Sequence, residues 1–353
     1  PSNTSITTTD PTEPLQEKHQ PNTSLPADPT KPHSLICHEP GHELDTFLAR
    51  GRLIADAPHG APRNPEAMMQ RVWFITGASS GFGRALAEAV LRRGDGAVLA
   101  ARRIAALESV AAPYPQSALS VGLDVTDAEA REAAVEAALD RFGRIDVLAN
   151  IAGRGSLGAV EEFSPQQLRE QMDVNFFAAA ELTRLVLPAM RAQSGGHILQ
   201  LTSIGGLLAI GGFGPYCASK FALEGWSEAL RDEVKPFGVR VTIVEPGAFR
   251  TEFAGPVNMR PERRLDAYRP LIEPLEAYLY GGDGQQPGDP AKAAEVMIAT
   301  VESDDPPLRL LLGADAIGAW ERKHAEFVAE LERWRSAGEA TAYAGAQVRS
   351  VGG

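Results

Sequence analysis

Two residues with chemically useful side chains, Tyr216 and Lys220, lie four positions apart in the stretch PYCASKF. Side chains at this spacing share one face of a helix, so a phenol and an ammonium group would lie close enough to interact. A Tyr-x-x-x-Lys pair also occurs by chance on surface helices. Other motifs in the sequence are therefore needed to distinguish a catalytic Tyr–Lys pair from an ordinary helix face.

A glycine-rich turn, FITGASSGFG, places Gly77, Gly81 and Gly83 between an apolar run and a helical pattern. Glycine adopts positive φ and lets the backbone approach a ligand closely. The free N–H groups at the start of the next helix favour a pyrophosphate. The position of the turn, after a strand and before a helix, predicts a dinucleotide-binding site.

The end of the second apolar run, VLAARR, bears on the choice of dinucleotide. An acidic residue there would bind the ribose hydroxyls of NAD. The sequence instead has Ala101, Arg102 and Arg103, and two guanidinium groups can hold a 2′-phosphate. We predict NADP(H) in preference to NAD(H); the alternative is that both arginines are solvated charges at the start of a helix.

The elements that must position these residues alternate along the chain. Short runs rich in Val, Ile and Leu predict strands at 72–76, 97–101, 119–123, 145–149, 197–202, 239–244 and 308–312. Helical patterns fill most of the intervals, and most of them end at Gly or Pro. Continuous apolar strands that alternate with helices predict an α/β fold, a single Rossmann-like doubly wound domain. Its mostly parallel sheet has about seven strands flanked by helices.

Three regions follow from composition. Residues 1–68 form a predicted disordered leader rich in Pro, Ser and Thr, which cannot bury enough apolar surface to fold. Met69 is a hypothetical true start, with the leader an over-extended reading frame. Residues 69–315 form the predicted catalytic domain, within which 252–290 form a substrate loop or lid. Residues 316–353 are predicted to form a C-terminal helix and a loose tail.

Charge and composition exclude several partners. The 353 residues carry a formal net charge of −12, whereas nucleic acids and anionic membranes attract clustered Lys and Arg. No apolar run approaches the roughly 20 residues that a membrane helix needs. The two cysteines, Cys37 and Cys217, do not suggest a disulfide framework, and a reducing cytoplasm fits.

From 71 to 313 the chain resembles the short-chain dehydrogenase/reductase family. The resemblance rests on six motifs in order, which are TGASSGFG, LDV, NIAG, MDVNFF, LTSIGG with YCASK, and EPGAFRT. Ile151 replaces the second Asn of the family's Asn-Asn-Ala-Gly strand end. The cofactor contacts that we predict from these motifs and from the arginine pair are Thr76, Gly77, Ser79, Ser80, Gly81, Phe82, Gly83, Arg102, Arg103, Asp124, Val125, Asn150, Ala152, Gly153, Tyr216, Lys220, Pro246, Gly247 and Thr251.

The resemblance implies that Asn175, Ser203, Tyr216 and Lys220 act as a catalytic unit. The Lys220 ammonium and the oxidised nicotinamide are expected to lower the tyrosine pKa from about 10. Tyr216 would then exchange a proton with the substrate oxygen, which Ser203 positions, while Lys220 binds the nicotinamide ribose. Asn175 is expected to hold a water that links Lys220 to solvent. Cys217, about 100° from Tyr216 on the helix, is interpreted as packing.

Three alternatives compete with an oxidoreductase. A catalytically silent NADP(H) sensor or scaffold would keep the fold. Such a protein is expected to lack the active-site Tyr or Lys, and this chain retains both. A nucleotide-sugar epimerase would usually carry a larger C-terminal domain. The HEPGH stretch at 38–42 matches a zinc-protease pattern, but Pro40 and Gly41 oppose the required helix, so no metal site is predicted.

The segment after Thr251 is expected to set substrate specificity. It carries Phe253, Tyr268, Leu271, Ile272, Tyr278 and Tyr280, which suggest a moderately lipophilic alcohol or ketone as substrate. The alternative is that these side chains pack a helical pair onto the domain. Apolar stripes on the helices of Asn175 and Tyr216, through which family members commonly pair, predict a homodimer or homotetramer.

Overall fold

The computed structural model describes residues 71–347, and within them seven strands form one sheet. The strands are β1 (Val72–Thr76), β2 (Gly96–Ala101), β3 (Ala118–Gly122), β4 (Val147–Asn150), β5 (Gly196–Leu201), β6 (Val239–Pro246) and β7 (Arg309–Leu312). The order across the sheet is β3-β2-β1-β4-β5-β6-β7, and all neighbours are parallel. The predicted fold class is therefore confirmed.

Nine α-helices connect and cover these strands within the same described residues. They are α1 (Gly81–Arg92), α2 (Ile104–Ala111), α3 (Ala128–Phe142), α4 (Pro165–Met172), α5 (Ala178–Ala192), α6 (Gly214–Val234), α7 (Arg269–Gly281), α8 (Pro290–Glu302) and α9 (Ala314–Glu339). A π-helical turn, Asp173–Phe177, joins α4 to α5.

The core has two apolar layers, one on each face of the sheet. Trp73 and Ile75 of β1 point to the layer that contains Met297 of α8. Phe74, between them, points to the opposite layer with Leu182 of α5 and Leu230 of α6. Because successive side chains of a strand alternate between faces, a strand covered on both sides has to be apolar throughout. All five residues of β1 are buried, as this requires.

The order of the strands determines where a ligand can bind. The chain moves from β1 outward to β3 and then returns to place β4 on the other side of β1. Connections on the two sides of this point diverge and leave a crevice at the carboxyl ends of the strands. The glycine turn follows β1, and the NIAG stretch follows β4, so both reach this crevice.

The structure adds elements that the hydrophobic patterns did not reveal. Helices α2, α7 and α8 were not predicted as separate helices, and α9 begins at Ala314, two residues before the predicted C-terminal helix. The leader, the hypothetical start at Met69 and the HEPGH stretch lie outside the described residues. Among residues 71–347, no helix is both long enough and apolar enough to span a bilayer.

Candidate active site

A cavity of about 1030 Å³ opens at the carboxyl ends of the central strands. It joins the glycine turn, the ends of β2 and β4, and the start of α6. The predicted site residues that line it are Gly77, Ser79, Ser80, Gly81, Phe82, Arg102, Arg103, Asp124, Val125, Ala152, Gly153, Ser203, Tyr216, Lys220, Pro246, Gly247 and Thr251. The fold thus brings together, around one cavity, residues that are spread over some 175 positions of the sequence (Gly77 to Thr251).

The glycine turn is too tightly folded for side chains. A Cβ on Gly83 would lie 2.4 Å from the carbonyl oxygen of Gly77, and Gly77 itself has φ +67°. A Cβ on Gly81, with φ +52°, would meet the side chain of Thr251 at 3.1 Å. These contacts explain why glycine occupies all three positions.

The turn leaves the N-terminus of α1 available to an anion. The N-cap residue Ser80 makes no side-chain capping hydrogen bond, and the first turn of α1 contains no acidic residue. The N–H groups there retain their capacity for an external acceptor, and the helix dipole favours negative charge. Together with the close-packed glycines, this geometry fits the pyrophosphate of a dinucleotide.

The two arginines after β2 have different surroundings. Arg103 donates to Ser79 Oγ at 3.3 Å and pairs with Glu252 at 2.9 Å, so it links the glycine turn to the segment after β6. Arg102 is exposed at the cavity rim. Nearby, the backbone N–H of Thr126 donates to Asp124, which lowers the pKa of that carboxyl and keeps it ionised.

Tyr216 is buried in the cavity wall with 8% of its surface exposed. Burial raises the pKa of its phenol, and a hydrogen bond with Ser203 opposes the rise. Ser203 also accepts a hydrogen bond from the Gly205 N–H at 3.0 Å, which holds its side chain in place. Phe253 packs edge-on against the tyrosine ring at 5.3 Å between centroids.

Lys220 lies on the same helix face as Tyr216, as their spacing predicts. Its Nζ is 6.0 Å from the centre of the tyrosine ring and donates to the Leu201 carbonyl at 2.8 Å. Burial lowers the pKa of Lys220 to about 8, and Glu224, one turn further on, opposes that shift. Burial is the largest influence on the tyrosine pKa in the protein alone. The expectation that Lys220 and an oxidised nicotinamide together lower that pKa stays a prediction.

Asn175 stands behind the cavity wall rather than in it. It lies in the π-helical turn, and its amide donates to the Arg154 carbonyl and to Ser219 Oγ, both at 2.9 Å. Its oxygen accepts from the Arg154 N–H at 2.9 Å. A Cβ on Gly153 would meet both Asn175 Oδ1 and Lys220 Nζ, so these two atoms flank the same glycine.

Thr76, Gly83 and Asn150, which the motifs assigned to cofactor contact, do not line the cavity. Asn150 is 4% exposed, and the two N–H groups of its amide are shared among three acceptors within 3.2 Å, the Ala179 carbonyl, Thr183 Oγ1 and Gln200 Oε1. The Thr76 hydroxyl accepts from the N–H groups of Ile151 and Ala152. These side chains hold the ends of β1 and β4 in position, so their contribution to the site is indirect.

The Pro246–Gly247 segment at the end of β6 depends on a residue that the motifs missed. Asp315, at the start of α9, accepts from the Ala248 N–H at 2.7 Å. A Cβ on Gly247 would lie 2.3 Å from the Asp315 carboxylate, so only glycine allows this contact. Phe249 packs against Phe82 of the glycine turn at 5.0 Å between ring centres. The sequence offered no signal for Asp315 except its place in the first turn of a helix.

The substrate side of the cavity is mostly apolar. Its walls come from the loop after β5 and the segment after β6, namely Ile204, Leu208, Ile210, Phe213, Phe253, Pro256, Val257, Tyr278 and Leu279. Of the predicted substrate-contacting side chains, only Phe253 and Tyr278 line it. Tyr268 donates to Glu161 and Tyr280 donates to Asn258, so the packing alternative holds for these two tyrosines. Cys217, expected only to pack, is buried and also borders the cavity.

A buried acidic cluster beneath Lys220 also escaped the motif search. Glu224 and Glu245 both bind the Arg309 guanidinium, and Thr202 donates to Glu224 Oε1 at 2.5 Å. Burial and the neighbouring Glu224 raise the pKa of Glu245 to about 7. Because Thr202 precedes Ser203, this cluster anchors the backbone that carries the serine.

Comparisons with known proteins agree on one family. A family model described as short chain dehydrogenase matches residues 71–262. Oxidoreductase BOA17 of Botryotinia fuckeliana is 35% identical over 78% of this chain and 100% of its own length. The 3-ketodihydrosphingosine reductase of Bacteroides thetaiotaomicron is 34% identical over 70% of this chain and 89% of its own length.

Solved structures lead to the same family. A short-chain dehydrogenase from Streptomyces avermitilis is 42% identical with a TM-score of 0.72, and the match covers 77% of this chain and 99% of that one. A Burkholderia phymatum short chain dehydrogenase/reductase in complex with NAD is 26% identical with a TM-score of 0.66, covering 74% and 95%. An alcohol dehydrogenase from Thermococcus sibiricus complexed with 5-hydroxy-NADP is 28% identical with a TM-score of 0.57, covering 69% and 95%.

Proposed function

The chain belongs to the short-chain dehydrogenase family and is an oxidoreductase, and we propose that it transfers a hydride between NADP(H) and a lipophilic ketone or secondary alcohol. Tyr216 serves as the general acid or base. The observation that carries the proposal is the convergence of Ser203, Tyr216 and Lys220 on the cavity that the glycine turn also lines.

The cofactor fits the residues present. The glycine turn and the uncapped N-terminus of α1 would hold its pyrophosphate. Ser79, Arg102 and Arg103 border the region beside the turn. Ala101 occupies the end of β2, where an acidic residue would bind the ribose hydroxyls of NAD. When bound, NADPH supplies the hydride, and the protein's task is to orient the carbonyl and provide the proton.

The electrostatics favour carbonyl reduction at neutral pH. Burial keeps the Tyr216 phenol protonated, which is the form that a general acid needs. Ser203 donates a hydrogen bond to the same carbonyl oxygen and fixes it next to the phenol. Lys220, with a pKa of about 8, carries a positive charge below that pH and stabilises the phenolate that forms when the proton leaves.

The substrate class follows from the apolar walls around Tyr216. Phe213, Phe253 and Val257 line the same cavity as Tyr216 and give it aliphatic and aromatic surface. A lipophilic group beside the carbonyl gains free energy by leaving water there. One relative is named for a keto substrate, 3-ketodihydrosphingosine, which agrees with a ketone as the reacting group.

We further propose that two copies pair through α5 and α6. Phe177, just before α5, is 50% exposed, and Phe221 of α6 is 45% exposed. Exposed aromatic rings at this level are typical of interfaces. A cytoplasmic location stays a prediction from the cysteine content.

NADPH oxidation over a panel of carbonyl compounds tests the function, with wild type beside Tyr216→Phe. Loss of the proton donor should lower kcat about 10²- to 10⁴-fold while NADPH binding is unchanged. Tyr278→Phe, which removes a phenol elsewhere in the cavity wall, is the matched control and should keep near-normal kcat. NADPH binding without turnover in either direction by the wild type would instead support the sensor alternative.

A further inference from the structure

The last helix, α9, is far longer than its contact with the domain requires. Its first turns pack against the sheet, where Ala316 is 1% exposed and Asp315 holds the segment after β6. From Glu321 to the helix end at Glu339, every residue is exposed. About 19 residues, or roughly 28 Å of helix, therefore extend without packing against the described part of the chain.

A mostly apolar stripe, which we call the α9 seam, starts in the packed first turns of α9 and continues along this free portion. The seam consists of Ile317, Trp320, His324, Phe327, Leu331 and Trp334. Successive members are three and four residues apart in strict alternation. Phe327 and Trp334 are 59% and 68% exposed, so their rings face water in the single chain.

Such spacing is the pattern of helices that pack in pairs. A repeat of 3.5 residues keeps one narrow seam facing a partner helix along its whole length. An isolated surface helix needs no such repeat, and large exposed rings cost free energy in water. The seam thus points to a helix of the same length and repeat as its partner.

We propose that the α9 seam binds the α9 seam of a second copy of this chain, with the two helices antiparallel. In an antiparallel pair the residues that flank the two seams face each other in a reciprocal way. Lys323 flanks one side of the seam, and Glu330 flanks the same side one heptad later. Each Lys323 then lies opposite Glu330 of the other copy, so one contact forms twice.

The charges that flank the α9 seam and the area that it can bury agree with a second copy of this chain as the partner. Lys323 and Glu330 make no ion pair within residues 71–347, so both charges are available. Burying an aromatic ring covers about 150–250 Å². The largely exposed Phe327 and Trp334 of two copies thus supply about half of the roughly 1,200 Å² that a small stable interface buries. Ile317 and Leu331, 45% and 44% exposed, add to it.

The polar face argues against a membrane as the occupant. Between 321 and 339 it has five acidic residues and four Lys or Arg residues. Helices that lie on anionic bilayers carry mainly Lys and Arg on that face. A mixed set of charges beside an apolar seam is instead the pattern of paired helices.

Light scattering on the full chain tests the proposal. The double variant Phe327→Asp, Trp334→Asp should halve the mass of the wild type at a concentration where the wild type is fully associated. Its dissociation constant should rise at least tenfold. Ala329→Asp places the same charge on the opposite face of α9 and should leave the mass unchanged. Far-UV circular dichroism and the melting temperature verify that all variants fold.

A charge exchange tests the antiparallel arrangement. Lys323→Glu and Glu330→Lys should each weaken association, because each places like charges opposite one another. The double exchange restores opposite charges and should recover the wild-type dissociation constant. Recovery supports the antiparallel pair, whereas additive weakening overturns it.

Three results would overturn the second copy as occupant. These are a monomeric wild type, a wild-type mass in the Phe327/Trp334 variant, or an equal loss in Ala329→Asp. Flotation with phosphatidylcholine vesicles containing 30% phosphatidylserine provides the membrane comparison. Seam-dependent flotation of a chain whose mass in solution does not depend on the seam would assign the seam to lipid. None of these readouts depends on catalytic activity.

Discussion

Burial acts on Tyr216 and Lys220 in opposite directions, and both shifts favour the neutral form. The phenol keeps its proton to higher pH, and the ammonium loses its proton at lower pH. Desolvation penalises whichever form carries charge, so one cause accounts for both. As pH rises, the rate of the reaction should therefore respond to deprotonation of Lys220 at a lower pH than to deprotonation of Tyr216.

For carbonyl reduction by the wild type, we expect kcat/KM to fall above pH about 8. Lys220 has a pKa of about 8 in the free protein, and its charge is lost above that value. Lys220→Arg retains a positive charge to much higher pH, so the fall should move up by at least two pH units. A pH–rate profile measures this, with the exposed Lys235→Arg as control. The same fall in Lys220→Arg would refute the assignment.

Glu245 should make the protein less stable as pH rises from about 4.5 to 7. Its folded pKa of about 7 exceeds its ordinary value of 4.5, so in this interval the unfolded chain has released the proton that the folded chain retains. The free energy of unfolding falls across the interval by up to about 3 kcal/mol and stays level above it.

Urea unfolding of wild type and Glu245→Gln at pH 4.5, 6 and 7.5 measures this effect. The difference between the two proteins is needed because His197, whose pKa burial lowers to about 4, contributes a change of opposite sign. That contribution is lost as pH falls from 6.5 to 4 and cancels in the difference. Glu228→Gln, which removes a more exposed carboxylate from the same Arg309, is the control. A difference that does not vary with pH would contradict the prediction.

At the scale of elements, the segment after β6 is tied to the cofactor turn by one exposed ion pair. Glu252 occupies the Arg103 guanidinium, which we propose as a ligand of the 2′-phosphate. Both side chains are more than half exposed, so the pair is worth less than about 1 kcal/mol. The phosphate and the carboxylate would compete for the same guanidinium.

Glu252→Gln should therefore tighten NADPH binding about two- to fivefold and leave NADH binding unchanged. Removing the competing carboxylate frees Arg103 only for a ligand that has the 2′-phosphate. Titration of protein fluorescence with each dinucleotide measures both constants. Glu273→Gln, which removes an exposed ion pair with Arg269 in α7, serves as the matched control. An equal gain in affinity for NADH would show that Arg103 does not bind the 2′-phosphate.

For the whole molecule, α9 has two parts. Its first turns, which contain Asp315, belong to the cavity wall, and the rest of the helix does not. Asp315 and Ala319 line the cavity, whereas no residue beyond Ala319 does. The exposed part after Trp320 has no packing role within the described chain.

A chain that ends after Trp320 should bind NADPH within about twofold of the wild type, because the cavity wall is intact. A chain that ends after Gly313 lacks the carboxylate that accepts from the Ala248 N–H. Loss of a hydrogen bond to a charged group costs about 1.5–3 kcal/mol, so this chain should bind NADPH at least tenfold more weakly. Isothermal titration of both truncated chains gives the comparison. Equal affinities would show that Asp315 does not support the cofactor segment.

Local patterns were enough to predict the sheet and the position of the site. Val72–Thr76 was predicted with its observed bounds, since a strand buried on both faces must be apolar at every position. The spacing of Tyr216 and Lys220 placed both on one helix face for the same kind of local reason. Helix α7 was not predicted as a separate helix, because it carries Pro274 and adds only one fully buried side chain, Ile272.

The sequence by itself determined the fold class, the glycine turn and the Tyr216–Lys220 pair, because these depend on residues close together in the chain. Only the tertiary structure decided which residues stand behind the site. Asn150 and Thr76 brace the strands rather than line the cavity, and Asp315 supports a loop 67 positions earlier in the chain. It also decided the pKa values, because burial is a property of the packed molecule and no local pattern encodes it.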